Sequence, residues 1–89
     1  MKIPCYFINI LIDKVNDKIV AHPKIFQSVI TDTNETHYIV QKSLTNAHLT
    51  MVRKDWVFLS ESKAQEYLKE HAQELYDYAE YVKNVYKPK

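Results

Sequence analysis

Four histidines, one cysteine and a scatter of aspartates are the residues in this 89-residue chain suited to binding a metal or carrying a nucleophile. Their spacing argues against both. His22, His37, His48 and His71 form no H-x-x-H, H-E-x-x-H or Cys/His pair, the spacings that put two ligands on one metal. Were zinc or iron bound, His22, His37 and His48 would be the ligands to test. Cys5 sits within an apolar run, where burial keeps a thiol protonated and unreactive. Asp13, Asp17, Asp32 and Asp55 fall at turns, where aspartate already has a structural task. No two carboxylates are spaced to share an apolar face, so acid–base catalysis has no anchor. Glycine is absent altogether, where average usage of about 7% predicts roughly six. Without it the chain has no P-loop, dinucleotide fingerprint, nucleophile elbow or EF-hand turn. The expectation is a protein with no catalytic residues, no metal and no cofactor: not an enzyme.

Binding is the remaining chemistry, and two regions offer it. Tyrosine occurs seven times, with Tyr67, Tyr76, Tyr78, Tyr81 and Tyr86 inside one C-terminal segment. Tyrosine gives large amphipathic contact area at low entropic cost and is enriched in protein interfaces. The same segment carries Leu68, Ala72, Leu75, Ala79, Val82 and Tyr86 at alternating spacings of four and three, the seam of a helix–helix contact. The second region is Lys42, His48, Arg53, Lys54 and Trp56, a modest basic and aromatic group of the type that binds single-stranded nucleic acid. A core role for Trp56, with its lysines merely solvated, is the better reading of that group. The net charge is +1 and Arg53 is the sole arginine, which speaks against base reading and phosphate gripping.

These residues need elements to position them. Ile3 to Ile12 reads as a strand apolar on both faces, with Tyr6, Ile8, Ile10 and Ile12 on one and Cys5, Phe7 and Leu11 on the other. That run is too short to span a bilayer and is broken by Asn9, so it is read as a buried strand and not as a signal segment. A turn follows at Val15–Lys18, where Asn16 and Asp17 tolerate the left-handed region. A second strand from about Ile19 should stop at Pro23, and a third should run from Ile25 to Thr31. After a turn at Asp32–Glu35, Thr36 to Lys42 returns. Leu49 to Arg53 and Trp56 to Leu59 then form a last hairpin about Lys54-Asp55. Five or six short strands joined by tight turns predict a small antiparallel barrel.

From Ser60 the period becomes helical, with Ser60 or a Ser62/Gln65 box as cap and Lys83, Lys87 and Pro88 at the far end. One helix of about 26 residues would run ~39 Å, against ~20 Å for short strands. Half of it is therefore expected to overhang and to meet a partner. The expected interface is Tyr78, Ala79, Tyr81, Val82, Val85 and Tyr86, most simply pairing with a second copy. The chain is read as one domain, residues 1–89, with a barrel portion at 1–59 and a helix at 60–87.

Val57 to Leu68, a strand running into a serine-capped helix, resembles small uncharacterised phage and mobile-element proteins of Firmicutes with an SH3-like barrel followed by a helix. The resemblance implies a small accessory protein that works by binding. With a lone cysteine and no disulfide, a cytoplasmic location follows. The expected function is thus a dimeric protein-binding module that uses no membrane. The alternative is a nucleic-acid-binding barrel working through Lys42 to Trp56.

Overall fold

A computed structural model describes residues 2–86. Lys87 and Pro88, expected to charge and close the helix, lie outside the described residues.

Two long strands dominate. β1 (Ile3–Val15) and β2 (Lys18–Thr33) pair antiparallel, from Ile3 opposite Ile30 to Val15 opposite Lys18. The connecting pair Asn16 and Asp17 has φ of 52° and 63°, both left-handed, as a two-residue hairpin turn demands. Asparagine and aspartate take the place glycine usually fills there. Other turns are closed by side chains. Asn34 Oδ1 accepts the backbone amides of Thr36 and His37 at 3.0 and 2.8 Å, and Ser43 Oγ accepts that of Asn46 at 3.1 Å.

β3 (His37–Gln41) pairs with the last residues of β2, and β4 (Leu49–Arg53) pairs with β3. A 3₁₀ turn at Lys54–Trp56 leads to β5 (Val57–Phe58), which returns to the opposite side of β1. The strand order is β4-β3-β2-β1-β5. The fold is therefore α+β with a five-stranded antiparallel sheet. It is an open sheet, which corrects the closed barrel: β4 and β5 are its two edges and do not pair. The last hairpin is corrected as well, because Val57 and Phe58 pair with Phe7 and Tyr6 and not with β4.

Pro23 does not end a strand. It lies within β2 opposite Ile10. β3 reaches β2 only from Ile30 to Thr33, so at Pro23 one side of β2 faces no strand. A proline is tolerated in that setting, because the missing N–H takes no ladder bond from a neighbour. At Thr31 the register slips by a bulge, and the Thr31 hydroxyl donates to the Ile39 carbonyl at 3.1 Å.

Both faces of the β1 centre are buried: Cys5 and Phe7 on one, Ile8 on the other. Through the ladder the first face continues into Phe26, Ser28 and Ile30, then Val40, and Val52 beyond. Ser28 is fully buried, and its hydroxyl donates to the Gln41 carbonyl at 2.6 Å, which removes the cost of burying it. Ile10 is only half-buried, so the fully covered stretch of β1 stops before it.

Two helices follow in place of one. α1 (Glu61–Glu70) starts at Ser60, whose Oγ accepts from the Lys63 amide at 3.3 Å. Ser60 is therefore the cap, and Gln65 bonds Glu61 instead of closing a box with Ser62. α2 (Ala72–Val85) starts after His71, whose φ of −111° and ψ of 22° leave the helical region. The break changes the packing. α1 lies against β1, β2 and β5, and α2 lies mainly along β2. At ~21 Å for its 14 residues, α2 is about half as long as the 13-residue β1 of the hairpin beneath it, ~43 Å, and so lies within its span. The expected unsupported overhang does not exist.

Candidate functional site

The seam read from spacing is mostly the inner face of α2. Leu75 and Ala79 are buried, at 3% and 1% exposure. Ala72 and Val82 are half-buried. Ala79, expected at a partner interface, is covered by the chain's own fold. Its methyl group lets α2 approach β2 closely, which is the use of a small residue at a packed crossing.

The outer face is different. Tyr78, Tyr81 and Val85 are 45%, 63% and 59% exposed, and their i, i+3, i+7 spacing places them on one side of the helix. Tyr76 and Tyr86 are also exposed. Tyr78 and Tyr81 stack with centroids 6.2 Å apart, and Tyr78 meets Trp56 edge-on at 5.6 Å. Trp56 belongs to the core. The stripe is therefore anchored at one end by a buried ring and presented to solvent along the rest. Glu74, one turn before Tyr78, is the carboxylate within it. Asp77 lies at its rim, held by Gln73 at 3.0 Å. Of the six residues expected at an interface, the structure thus exposes Tyr78, Tyr81, Val85 and Tyr86 and turns Ala79 inward. The seam spacing runs through the inward set, whereas the exposed stripe is marked in the sequence only by its 78, 81, 85 spacing.

The basic group divides. Lys42 and His48 sit together at the loop end of the β3–β4 hairpin, where the Lys42 amide donates to the His48 carbonyl at 2.8 Å. Arg53 and Lys54 lie at the other end of β4, with Arg53 five residue steps or about 17 Å from His48. Arg53 is already engaged. Its Nε and Nη2 bond both oxygens of Asp55 at 3.1 and 2.6 Å, and its guanidinium lies 5.0 Å over the Trp56 ring. Lys54 lies over Tyr38 at 5.3 Å. The five residues form no single surface.

Titratable groups show little chemistry. Burial pushes the Cys5 thiol up to about 11, away from any nucleophilic role near neutral pH. His71 stacks on Tyr67 at 4.2 Å and stands 3.7 Å from Glu74. The dent they share with Arg53, Trp56, Leu75 and Tyr78 holds about 100 Å³, well below the ~300–1,000 Å³ of small-molecule sites. Among the described residues no three His, Cys, Asp or Glu side chains are grouped to hold a metal ion. No described helix is long and apolar enough to cross a membrane.

Comparison with protein-family models, with curated proteins and with solved structures finds no match to this chain.

Proposed function

We propose that this protein is a non-enzymatic protein-binding module that works as a dimer through the outer face of α2. The observation that carries the reading is the exposed stripe of Tyr78, Tyr81 and Val85 flanking the packed face of the same helix. A solvent-facing row of aromatic and branched side chains is the composition that interface cores favour. A second copy is the simplest occupant, since self-complementary two-fold contacts are the commonest in soluble oligomers. An antiparallel α2 pair keeps the two Glu74 carboxylates at opposite ends of the contact, whereas a parallel pair would juxtapose them. Three large side chains per protomer make a small interface, so the dimer should be weak, with a dissociation constant of about 10–100 μM.

The role of a cytoplasmic accessory protein of a phage or mobile element belongs to this proposal, supported by the strand-to-capped-helix junction and a lone buried cysteine. A meander of four strands with a fifth returning beside β1 supports an opened relative of the SH3-like barrel. The nucleic-acid alternative is weaker, because Arg53 and Trp56 are used within the fold. Sedimentation velocity across ~10–300 μM tests the proposal, that range bracketing the expected affinity. The weight-average mass should climb with concentration from 10.6 kDa toward twice that value.

A further inference from the structure

One face of the sheet carries a hollow of about 280 Å³ that nothing in the dimer reading uses. Its lining joins β1 and β2 to the far hairpin: Phe7, Asn9, Ile10 and Leu11 of β1, Phe26 of β2, and Lys42 and Thr50 beside the β3–β4 loop. The ladder explains why these meet. Phe7 and Phe26 are opposite partners, so they share a face. That face passes from Ile3 to Ile30, to Val40 and to Thr50. In a flat sheet β1 and β4 would stand about 14 Å apart, three strand spacings. Lining one hollow requires the sheet to curl, and the hollow is the inside of that curl.

Its floor is aromatic. Phe7 and Phe26 stack with centroids 5.3 Å apart and an interplanar angle of 19°. Its rim is cationic and donor-rich. Lys42 is exposed, and it has no ion-pair partner among the described residues. The same holds for Lys24, the cross-strand partner of Asn9, whose ammonium lies 5.5 Å over the Phe26 ring. Asn9 Oδ1 is taken by the Ile10 amide at 2.9 Å, which leaves its NH₂ to donate. Thr50 adds a hydroxyl. Among the described residues no acidic side chain lines the hollow; Asp13, two positions past Leu11 on the same face, is the nearest along β1.

We propose that this hollow binds a small aromatic carboxylate. The ring meets the half-buried Phe26 edge-on, as aromatic pairs do, with Phe7, 1% exposed, packed behind it. The carboxylate meets the Lys42 ammonium, with the Asn9 amide and Thr50 hydroxyl as further donors. A charge-assisted bond is about twice as strong as a neutral one and distinguishes an acid from its amide. The volume sits at the lower bound of ordinary ligand sites, about 300 Å³, which restricts the ligand to a single ring with a short arm.

The test is a titration of the full-length ¹⁵N-labelled protein, followed by amide chemical shifts, with phenylacetate and its neutral isostere phenylacetamide as probes. Phenylacetate should shift Asn9, Leu11, Phe26, Lys42 and Thr50 and saturate with a dissociation constant on the order of 1 mM. Phenylacetamide should bind about tenfold more weakly, and Lys42→Ala should weaken phenylacetate by about the same factor. Lys69→Ala, on the exposed side of α1, should change nothing. Lys42 is exposed, so an unchanged melting temperature will show that its variant is folded. Equal affinity for acid and amide, equal affinity in Lys42→Ala, or no shift at these residues with phenylacetate would each overturn the proposal.

Discussion

Ile8 and Ile10 lie two positions apart on the same face of β1, yet Ile8 is 0% exposed and Ile10 is half-buried. The physical difference is cover. Ile8 adjoins the stretch where β5 pairs with Tyr6 and Phe7, and the sequence neighbours on both sheet faces are packed there. Ile10 opposes Pro23, in the part of the hairpin that β3 and β5 do not reach. Removing one methyl group from a fully packed isoleucine costs about 0.5–1.5 kcal/mol, the sum of lost transfer energy and a cavity that cannot collapse. For a domain of this size 1 kcal/mol lowers the melting temperature by about 4–8 °C. Ile8→Val should therefore lower it by roughly 2–12 °C by the same conversion. Ile10→Val leaves a site open to water and free to relax, so its loss should be under ~0.5 kcal/mol, as at surface positions. Differential scanning calorimetry on both variants reads the contrast directly. Equal losses, or a larger loss at Ile10, would refute this account of where the core ends.

Two further outcomes follow from single features. The Cys5 thiol, raised from 9.0 to about 11 by burial, favours the folded state while it stays protonated. That stability is complete below pH 9 and is lost as pH rises through 11, about 2–3 kcal/mol in all. The stability difference between wild type and Cys5→Ala, measured by urea unfolding from pH 8 to 11, should move toward the alanine variant by that amount; a constant difference would contradict it. At the β1–β2 turn, Asp17→Gly relieves a left-handed residue with φ of 63° and should stabilise by about 0.5 kcal/mol, strain relief being partly offset by glycine's unfolded-state entropy. A loss of stability in thermal melts would mean that the Asp17 side chain holds the turn.

The local chemistry of this chain is legible because it is expressed residue by residue. The first strand, the Asn16-Asp17 turn, the β4 segment, the Ser60 region as a cap and the α+β class all follow from short patterns. What escapes such patterns depends on neighbours far along the chain. Pro23 reads as a strand end because its sequence does not show that β3 pairs only beyond Val29. Val57 and Phe58 read as half of a hairpin because return pairing to β1 leaves no local mark. The aromatic floor of Phe7 and Phe26 is hidden for the same reason, since it exists only once β1 and β2 are in register. The break at His71 carries neither proline nor glycine, and the four-and-three periodicity runs straight through it. An unbroken helix implies an overhang, with the distal half of the seam, from Ala79 on, as its interface. Leu75 packs inward, as the near half of the seam should, but Ala79 packs inward with it, and Tyr78, Tyr81 and Val85, one side over, face water.

The central claim is that this outward stripe of α2 joins two copies of the chain, and Tyr81→Glu tests it most directly. Tyr81 is the most exposed member of the stripe, so the substitution should leave the melting temperature within about 2–4 °C, as a surface change of up to ~0.5 kcal/mol does. Two carboxylates facing across a two-fold contact should abolish association. In sedimentation velocity at about 300 μM, well above the expected dissociation constant, wild type should approach twice 10.6 kDa and the variant should stay near 10.6 kDa. A wild-type protein that remains at the single-chain mass there, or a variant that still doubles it, would contradict the account.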